Sequence, residues 1–396
     1  MTRVPELRFV GFAGEWEEKK LSEISILNPK SDSLPEIFNY VDLSSVNGTK
    51  LIESRKINKI DAPSRAQRYA KKGDIFYQTV RPYQRNNYFF DLNDDDYVFS
   101  TGYAQIRARY NAYYLFSQMQ TNKFVDSILN RCTGTSFPAI STSDLSDMKL
   151  LISTSEEEQE KIGDLFSKID QLIESQQELV DQTMAFKKSM LQKMFPKKDS
   201  LVPEFRFDKF KDNWMPIQLS KIGKTVTGNT PSTKNNLYWN DKPDNIWVTP
   251  TDIDGPTIYN SERYLTELGL EKSRYLPENS VLITSIASIG KNTINIVPVS
   301  INQQINAIIP SNHNSYFILQ AMNNSKNRFE SLAGNSATKI INKSTFDRFE
   351  IIVPCLEEQE KIGNFFKKLD EKIAREEKLL DAYKDMKKSL LQKMFV

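Results

Sequence analysis

The sequence predicts an α+β protein with two mixed α/β modules in a pseudo-twofold repeat, separated by two long helices that pair as an antiparallel coiled coil. Three observations predict this fold. The 396-residue chain contains its framework twice, each copy ends in a long segment of helical periodicity, and the interiors of the copies differ. Each copy is long enough to bury its own core.

The repeated framework lies at both ends of each copy. The matching segments are 4–9 with 202–207, 157–163 with 357–363, and 187–195 with 387–395, with one substitution in the first pair, none in the second and one in the third. The residues from about 25 to 130 share little with those from about 223 to 330. Solenoid repeats resemble each other throughout, so this pattern indicates two modules with one scaffold and separately specified surfaces.

The segments 156–195 and 357–395 are predicted to be helices because apolar residues recur at steps of three and four and neither segment contains proline. These residues are Ile162, Leu165, Ile169, Leu172, Leu179, Phe186 and Met190 in the first, and Ile362, Phe365, Leu369, Leu379, Tyr383, Met386 and Leu390 in the second. A lone helix of about 35 residues, about 50 Å long, needs a partner for its apolar stripe. We expect each helix to be the partner of the other.

Two details of these helices are open to test. Ser155 and Glu158 are placed to form a capping box at the first helix start. Gln176 and Glu376 occupy the same seam-like position in mid-helix. They either set the register, line a water-filled gap or face solvent, and the last is the more common case.

The remaining segments alternate short strand-like runs with turns and helical stretches. Strands are expected at 74–77, 97–99, 245–248 and 280–284, and helical stretches near 112–130 and 314–332. Each module is therefore a mixed α/β domain of about 150 residues. Residues 196–200 form the linker before the second copy.

Charge is distributed unevenly along the chain. The net charge is only +2, but residues 50–90 contain ten basic side chains against the acids Glu53, Asp61 and Asp74. The basic residues are Lys50, Arg55, Lys56, Lys59, Arg65, Arg68, Lys71, Lys72, Arg81 and Arg85. Such an excess attracts phosphate even on a near-neutral protein, although a solvated basic face has the same composition.

The residues for most catalytic chemistries are missing. His313 is the only histidine, which removes His-dependent triads and the usual zinc sites. No phosphate-binding loop with a Gly-Lys-Ser/Thr end is present, and Asn28-Pro29 is followed by Lys30 rather than by the Pro-aromatic pair of amino-methyltransferases. The acidic residues Asp91 and 94–96 are more typical of a solvated turn than of a magnesium site.

The composition also predicts a compartment. Cys132 and Cys355 are too few for a disulfide framework, so we interpret both as packing residues in a protein of the reducing cytoplasm. We expect no membrane span and no signal peptide, because no run of apolar residues is long enough.

Polar loops that follow predicted strands are the candidate DNA-reading sites. Arg pairs with guanine, Gln and Asn pair with adenine, and Tyr stacks or binds phosphate. In the first module the candidates are Lys30, Thr79, Arg81, Tyr83, Gln84, Arg85, Asn86 and Asn87. In the second they are Thr230, Ser232, Lys234, Asn235, Thr249, Ser285, Ser288 and Lys291, with the loop 285–292 placed in the repeat where Arg81 falls in the first.

The framework resembles the specificity subunit of bacterial type I restriction–modification enzymes over nearly the whole chain. The matching features are 4–9 followed by Trp16 and by 21–24, the strand entry 73–75, the loop 228–233 followed by 238–239, and both Glu-Glu-Gln-Glu-Lys-Ile helices. The first module departs from the pattern, with 28–31 (Asn-Pro-Lys-Ser) where the second has its Gly-x-Thr-Pro-Ser loop.

The resemblance implies an organisation, partners and cofactors. It implies target-recognition domains at 1–155 and 201–355, a central conserved helix with linker at 156–200 and a second conserved helix at 356–396. The two domains would read the halves of a split double-stranded DNA site. Two methyltransferase (modification) subunits would dock on the helices and restriction subunits would join them, with S-adenosylmethionine, ATP and magnesium bound by these partners rather than by this chain.

The residues alone favour the same function. Two unlike reading surfaces on a pseudo-symmetric spacer suit an asymmetric bipartite site, and a spacer of about 50 Å compares with about 34 Å per DNA turn. The alternatives are a transcriptional or architectural DNA-binding protein without restriction–modification partners, a nuclease with a scattered acidic site, and a coiled-coil scaffold. The first would show a helix-turn-helix and a small dimerisation element, and neither is found.

Overall fold

The computed structural model describes residues 3–31, 33–197, 200–334 and 339–396. The chain forms two compact units, Met1–Gln177 with Lys378–Val396 and Glu178–Glu377. Each unit therefore contains one α/β module and parts of both long helices. Of the predicted linker 196–200, residues 198 and 199 lie outside the described part of the chain.

The two predicted long helices are present, and we call Glu156–Lys193 the first long helix and Leu356–Met394 the second. Within the first unit they run antiparallel, because the ring of Phe166 contacts that of Phe395 and Asp170 pairs with Lys387. Within the second unit Asp370 pairs with Lys187 in the equivalent way. Each aspartate also accepts a tyrosine hydroxyl from its module, Tyr113 at 2.8 Å or Tyr316 at 2.6 Å.

The buried stripe of the first long helix differs from the predicted one. Leu172 and Phe186 are exposed, whereas the buried positions continue from Ile169 through Gln176, Val180 and Thr183. The periodicity predicted the helix correctly. In the middle of the helix, however, the predicted apolar stripe lies on the exposed side. Two of these buried residues, Gln176 and Thr183, are polar, and a buried polar residue in a helix–helix seam can specify register at a cost in stability.

The interpretation of Gln176 and Glu376 as solvent-facing residues is wrong, because their exposed fractions are only 8% and 9%. The predicted capping box is also incomplete. The Ser155 hydroxyl accepts a hydrogen bond from the backbone N–H of Glu158 at 3.2 Å, but the Glu158 carboxylate binds Arg8 and Ser153 instead of returning to Ser155.

The first module, between Glu17 and Ile152, has two four-stranded sheets. One is antiparallel, with the order Ser25–Leu27, Tyr103–Ala108, Asp74–Gln78 and Tyr88–Phe89. The other has the order Arg55–Asn58, Ile37–Val41, Tyr97–Ser100 and Ala66–Tyr69, with a parallel central pair. Short pairs join Glu17–Lys20 to Lys149–Ile152 and Val46–Asn47 to Lys50–Leu51. Phe76 stacks on Phe99 at 3.6 Å, so an aromatic core holds the two sheets together.

The second module, between Met215 and Val353, has two five-stranded sheets. The first has the order Gly223–Thr227, Ile305–Pro310, Val281–Thr284, Asn292–Asn295 and Thr257–Ile258, and the second has Trp239–Asn240, Tyr264–Leu265, Asn245–Val248, Val299–Ile301 and Tyr275–Leu276. Met215–Gln218 pairs with Glu350–Val353. The four predicted strands are thus present, and each sheet of the second module repeats the strand order of a first-module sheet with one additional edge strand, despite the different sequences.

Short helices cover the sheets. In the first module they are Leu21–Ile24, Ala112–Gln118, Asn122–Leu129 and Thr142–Ser146, with 3-10 turns at Lys59–Asp61 and Pro82–Gln84. In the second they are Leu219–Ile222, Glu267–Glu271, Ser315–Asn324, Lys326–Glu330 and Lys343–Arg348, with 3-10 turns at Asn236–Tyr238, Pro250–Asp252 and Ser331–Ala333. In the described ranges, no helix is both long enough and apolar enough to cross a lipid bilayer.

The repeated residues explain how each module is fixed to the helices. Trp16 is fully buried and contacts Phe395 edge-on at 6.1 Å, and Trp214 contacts Phe195 in the same way at 5.8 Å. The aromatic residue after each long helix therefore completes a module core. Cys132 packs beside the first core as predicted, but Cys355 is exposed, so its assignment as a packing residue is wrong.

Candidate nucleic-acid interface

The loop after strand Asp74–Gln78 borders a cleft of about 910 Å³ in the first module. Its lining combines basic, amide, hydroxyl and aromatic side chains, among them Arg65, Gln78, Arg81, Gln84, Asn86, Thr101 and Phe137. This combination matches the side chains that bond base edges and phosphates. We call this cavity the reading cleft. The sequence placed Arg81, Gln84 and Asn86 in one loop, and the structure brings all three to the same cavity.

Arg81 is held at the rim of the reading cleft in an uncommon conformation. Its φ of 55° is left-handed, which few non-glycine residues adopt. Its backbone N–H donates to the carbonyl of Pro138 at 2.7 Å, and its guanidinium lies 4.3 Å from the ring centroid of Phe137. The backbone thus positions the side chain, and the aromatic face attracts its charge.

Arg85 has a different role from Arg81. Its guanidinium donates to the carbonyl of Gln120 at 3.2 Å and to Asn122 Oδ1 at 2.7 Å. These bonds tie the loop to the start of helix Asn122–Leu129. Within the described residues neither Arg81 nor Arg85 forms an ion pair with the acids at 91–96.

The amide side chains of this loop form a network around Gln78, which is fully buried. Gln78 Nε2 donates to Gln84 Oε1 at 2.8 Å, and Asn86 Oδ1 accepts from Gly48 N at 2.9 Å. Asn87 is 1% exposed and its Oδ1 accepts from Gln78 N. Contrary to the prediction from the sequence, Asn87 is therefore not part of the candidate surface, because its amide supports the fold and is not presented to a ligand.

The other candidates of the first module lie at different depths. Tyr83 is half exposed beside the loop, whereas the Thr79 hydroxyl donates to the carbonyl of Gly102 at 2.8 Å. Lys30 is exposed and lines a separate cavity with Lys71 and Arg107. The structure does not bring Lys30 to the reading cleft.

In the second module, the loop 228–235 is held on an aromatic platform. The indole N–H groups of Trp239 and Trp247 donate to the carbonyls of Ser232 and Asn229, each at 3.2 Å. The guanidinium of Arg263 lies 3.8 Å from the ring centroid of Trp239. The loop therefore has a defined shape, with the side chains of Ser232 and Lys234 exposed.

The remaining candidates of the second module are partly used within the fold. Thr230 donates to Gln303, Asn235 caps a 3-10 turn through Leu237 N, and Thr249 donates to Asp252 Oδ2 at 2.6 Å. Ser288 and Lys291 are exposed, and Lys291 Nζ lies 3.3 Å from the carbonyl of Ile253. Ser285 is 2% exposed and its hydroxyl accepts a hydrogen bond from Asn306 Nδ2 at 2.7 Å, so the prediction that it belongs to the candidate surface is wrong.

The structure also gives the residue that corresponds to Arg81. Ala287 has the same left-handed backbone, with φ 63°, and its N–H donates to the carbonyl of Lys339 as Arg81 N–H does to Pro138. The flanking bridges Ile286–Ile340 and Val80–Ala139 match as well. The two modules therefore present different side chains from one backbone geometry.

Sequence reasoning missed several residues of these surfaces. Phe137 and Thr101 line the reading cleft, and Arg263 stacks on the tryptophans of the second module. An apolar residue inside the polar turn 133–138 was the available signal for Phe137. Among the described residues, no group of three or more His, Cys, Asp or Glu is arranged to hold a metal ion.

Comparisons with known sequences give a consistent result. The family described as type I restriction modification DNA specificity domain matches residues 13–182 and 211–383. The chain is 24% identical, over an alignment of 434 positions, to the type I restriction enzyme HindI specificity subunit of Haemophilus influenzae, covering 89% of this chain and 94% of that protein. It is 29% identical over 197 residues to the MjaIX specificity subunit of Methanocaldococcus jannaschii, covering 48% of this chain and 45% of that protein.

Comparison with solved structures supports the fold. The S subunit of a type I restriction–modification system from M. genitalium matches with a TM-score of 0.68 and 14% identity, covering 99% of both chains. A chain solved in work on complex assembly and conformational transition of a type I R-M system matches with a TM-score of 0.54 and 19% identity, covering 96% of this chain and 97% of that one. The predicted fold class is confirmed.

Proposed function

Because the chain belongs to the family of type I restriction modification DNA specificity domains, we propose that it reads a bipartite, asymmetric DNA site and directs partner methyltransferase and restriction subunits to it. One observation carries the proposal. Two modules of the same sheet plan offer unlike surfaces, Arg81 with an amide cluster in one and a polar loop on an aromatic platform in the other. Unlike surfaces on like frames suit two unlike half-sites.

The division of labour follows from which residues repeat. The variable side chains supply base and phosphate contacts, whereas the repeated helices supply the spacing and the docking sites for two modification subunits. The chain contributes no catalytic group in this proposal. S-adenosylmethionine, ATP and magnesium belong to the partners, and the assembly acts in the cytoplasm.

The proposal is tested by reconstitution with the modification subunit from the same source. Mass measurement should give an assembly of two modification subunits to one of this chain, and comparison of methylomes with and without the gene should give one split motif. The purified chain alone should neither cut nor methylate DNA. Turnover by a homogeneous preparation, or absence of any methylation motif, contradicts the proposal.

A module swap separates the two reading surfaces. Residues 25–140 of the first module are replaced by the matching segment of a relative, extended beyond 130 so that Phe137 and Arg81 are exchanged together. We expect one half-site to change and the other to stay. A change in both halves contradicts two independent reading modules and favours the architectural alternative.

A further inference from the structure

Phe137 is an exposed aromatic residue that the module cores do not explain. Its exposed fraction is 61%, and it lines the reading cleft together with Arg81. Aromatic side chains at recognition sites combine a large contact area with few rotatable bonds. Its position therefore calls for a role at the cleft.

The backbone fixes where Phe137 lies. Thr133 and Ala139 exchange hydrogen bonds at 2.9 and 3.0 Å, which closes the turn that carries the ring. Ala139 also bridges to Val80, and Pro138 accepts the N–H of Arg81 at 2.7 Å. The turn is thus connected at two adjacent residues to the loop that follows strand Asp74–Gln78. The same short stretch of backbone pairing therefore sets the positions of the ring and of the guanidinium.

The protein orients the side chain of Arg81 but does not occupy it with hydrogen bonds. Its guanidinium carbon lies 4.3 Å from the Phe137 ring centroid, and its Nε is buried with no hydrogen-bond partner in the described part of the chain. Arg85, by contrast, donates two guanidinium hydrogen bonds to its own module. In the described part of the chain no protein acceptor takes a hydrogen bond from Arg81 Nη1 or Nη2, so these two groups, rather than the buried Nε, keep their hydrogen-bonding capacity for a ligand.

We propose that Arg81 and Phe137 act as one base-reading pair, in which the ring holds the guanidinium plane ready for the O6 and N7 edge of a guanine. The inference rests on the proposed DNA-reading function. Arginine recognises guanine through two parallel hydrogen bonds, which require a defined plane. Stacking on a fixed ring reduces the freedom that the side chain loses on binding. Phe137 is thus a positioning residue.

The second module has the same backbone conformation at the equivalent position but lacks the arginine side chain. Ala287 occupies the Arg81 position, with φ 63° and an N–H that donates to Lys339 at 3.4 Å. A methyl group cannot hydrogen-bond a base edge. The pair therefore reads in one half-site only, which adds to the asymmetry of the target.

The test uses the chain assembled with its modification subunits and a library of random-sequence DNA duplexes, with bound duplexes sequenced. The variants are Phe137→Ala, Phe137→Tyr and Arg81→Lys, with Ile60→Ala as a matched control that truncates a 92% exposed apolar side chain of the same module. Phe137→Ala and Arg81→Lys should relax discrimination at the same single G·C pair by about 5- to 30-fold. Phe137→Tyr should restore it, and Ile60→Ala should have no effect.

The outcomes separate this inference from the proposed function. If the unmodified assembly selects no sequence, the DNA-reading function itself fails. If it selects a split site but Phe137→Ala leaves every position unchanged, weakens all sequences equally, or alters an A·T pair, the base-reading pair is wrong. Loss at the same G·C pair in both Phe137→Ala and Arg81→Lys, with rescue by Phe137→Tyr, supports it.

Discussion

Arg8 donates Nε and Nη2 to the two carboxylate oxygens of Glu158 at 2.5 and 2.9 Å, and Arg206 binds Glu358 in the same way at 2.8 Å. Both glutamates are fully buried, and the hydrogen bond to Glu158 raises the pKa of Arg8. The residues repeated at the two ends of each copy are therefore bonded to each other. The repeated residues therefore form the same buried ion pair between module and long helix in both copies.

Replacing Glu158 by Ala should destabilise the first unit by about 3 kcal/mol, because it leaves Arg8 without its buried counter-charge. The matched control is Glu157→Ala, whose exposed i,i+4 pair with Lys161 contributes about 0.5 kcal/mol or less. Denaturant unfolding followed by tryptophan fluorescence measures both. Equal denaturant midpoints of unfolding for the two variants contradict a stabilising role of the Arg8–Glu158 pair.

Gly163→Ala should destabilise the protein although it replaces glycine by a better helix former. An added Cβ would overlap Asn111 Oδ1, which caps helix Ala112–Gln118. In a helix without such a neighbour the same change stabilises by about 1 kcal/mol. The sign of the change in the free energy of unfolding therefore shows whether the close contact is present. We expect a net loss of about 1–3 kcal/mol, partly recovered when Asn111→Ser shortens the cap. A rise in melting temperature for Gly163→Ala refutes the close contact.

Phe395→Ala should open the core of the first module and leave that of the second closed. The ring is 7% exposed and contacts Trp16, Tyr114 and Phe166, so its loss costs about 3–5 kcal/mol. Hydrogen exchange read by peptide should rise around Trp16 and Tyr114. The converse variant, Phe195→Ala, should raise exchange around Trp214 and Phe317 instead. Equal protection loss in both modules from either variant is the contrary result.

Arg81→Ala and Arg85→Ala should separate recognition from stability. Arg81→Ala gives the first module the side chain that the second has at Ala287, so we expect altered sequence preference with an unchanged melting temperature. Arg85→Ala removes the bonds to Gln120 and Asn122 and should cost about 1–3 kcal/mol. Binding selections and thermal unfolding of both variants decide. If the two variants have the same sequence preference and the same melting temperature, the assignment of recognition to Arg81 and of stability to Arg85 is wrong.

The sequence was sufficient for the architecture because the repeat and the helical period are local signals. It was less informative about which side of a helix is buried. Leu172 and Phe186 fitted the apolar stripe, but the burial of Gln176 and Val180 depends on which residues pack against the helix from distant parts of the chain. Periodicity alone does not carry that information.

The candidate site shows the same limit. Arg81, Gln84 and Asn86 are neighbours in sequence and were found together, whereas Phe137 joins them through a bridge from Ala139 to Val80. Asn87 and Ser285 were assigned to the surface because they are polar and follow strands. Their burial comes from partners such as Gln78 and Asn306, which composition does not reveal.

The place of Phe395 has a consequence for synthesis on the ribosome. A chain elongating at about 5–20 residues per second produces Trp16 at the start but makes the ring that contacts it only after the whole of the second module, roughly 20–75 seconds later at that rate. The second module receives its own ring, Phe195, before its first strand is even translated. The module made first is thus the one completed last, and during that interval Trp16 and Tyr114 lack the ring that packs against them in the finished protein.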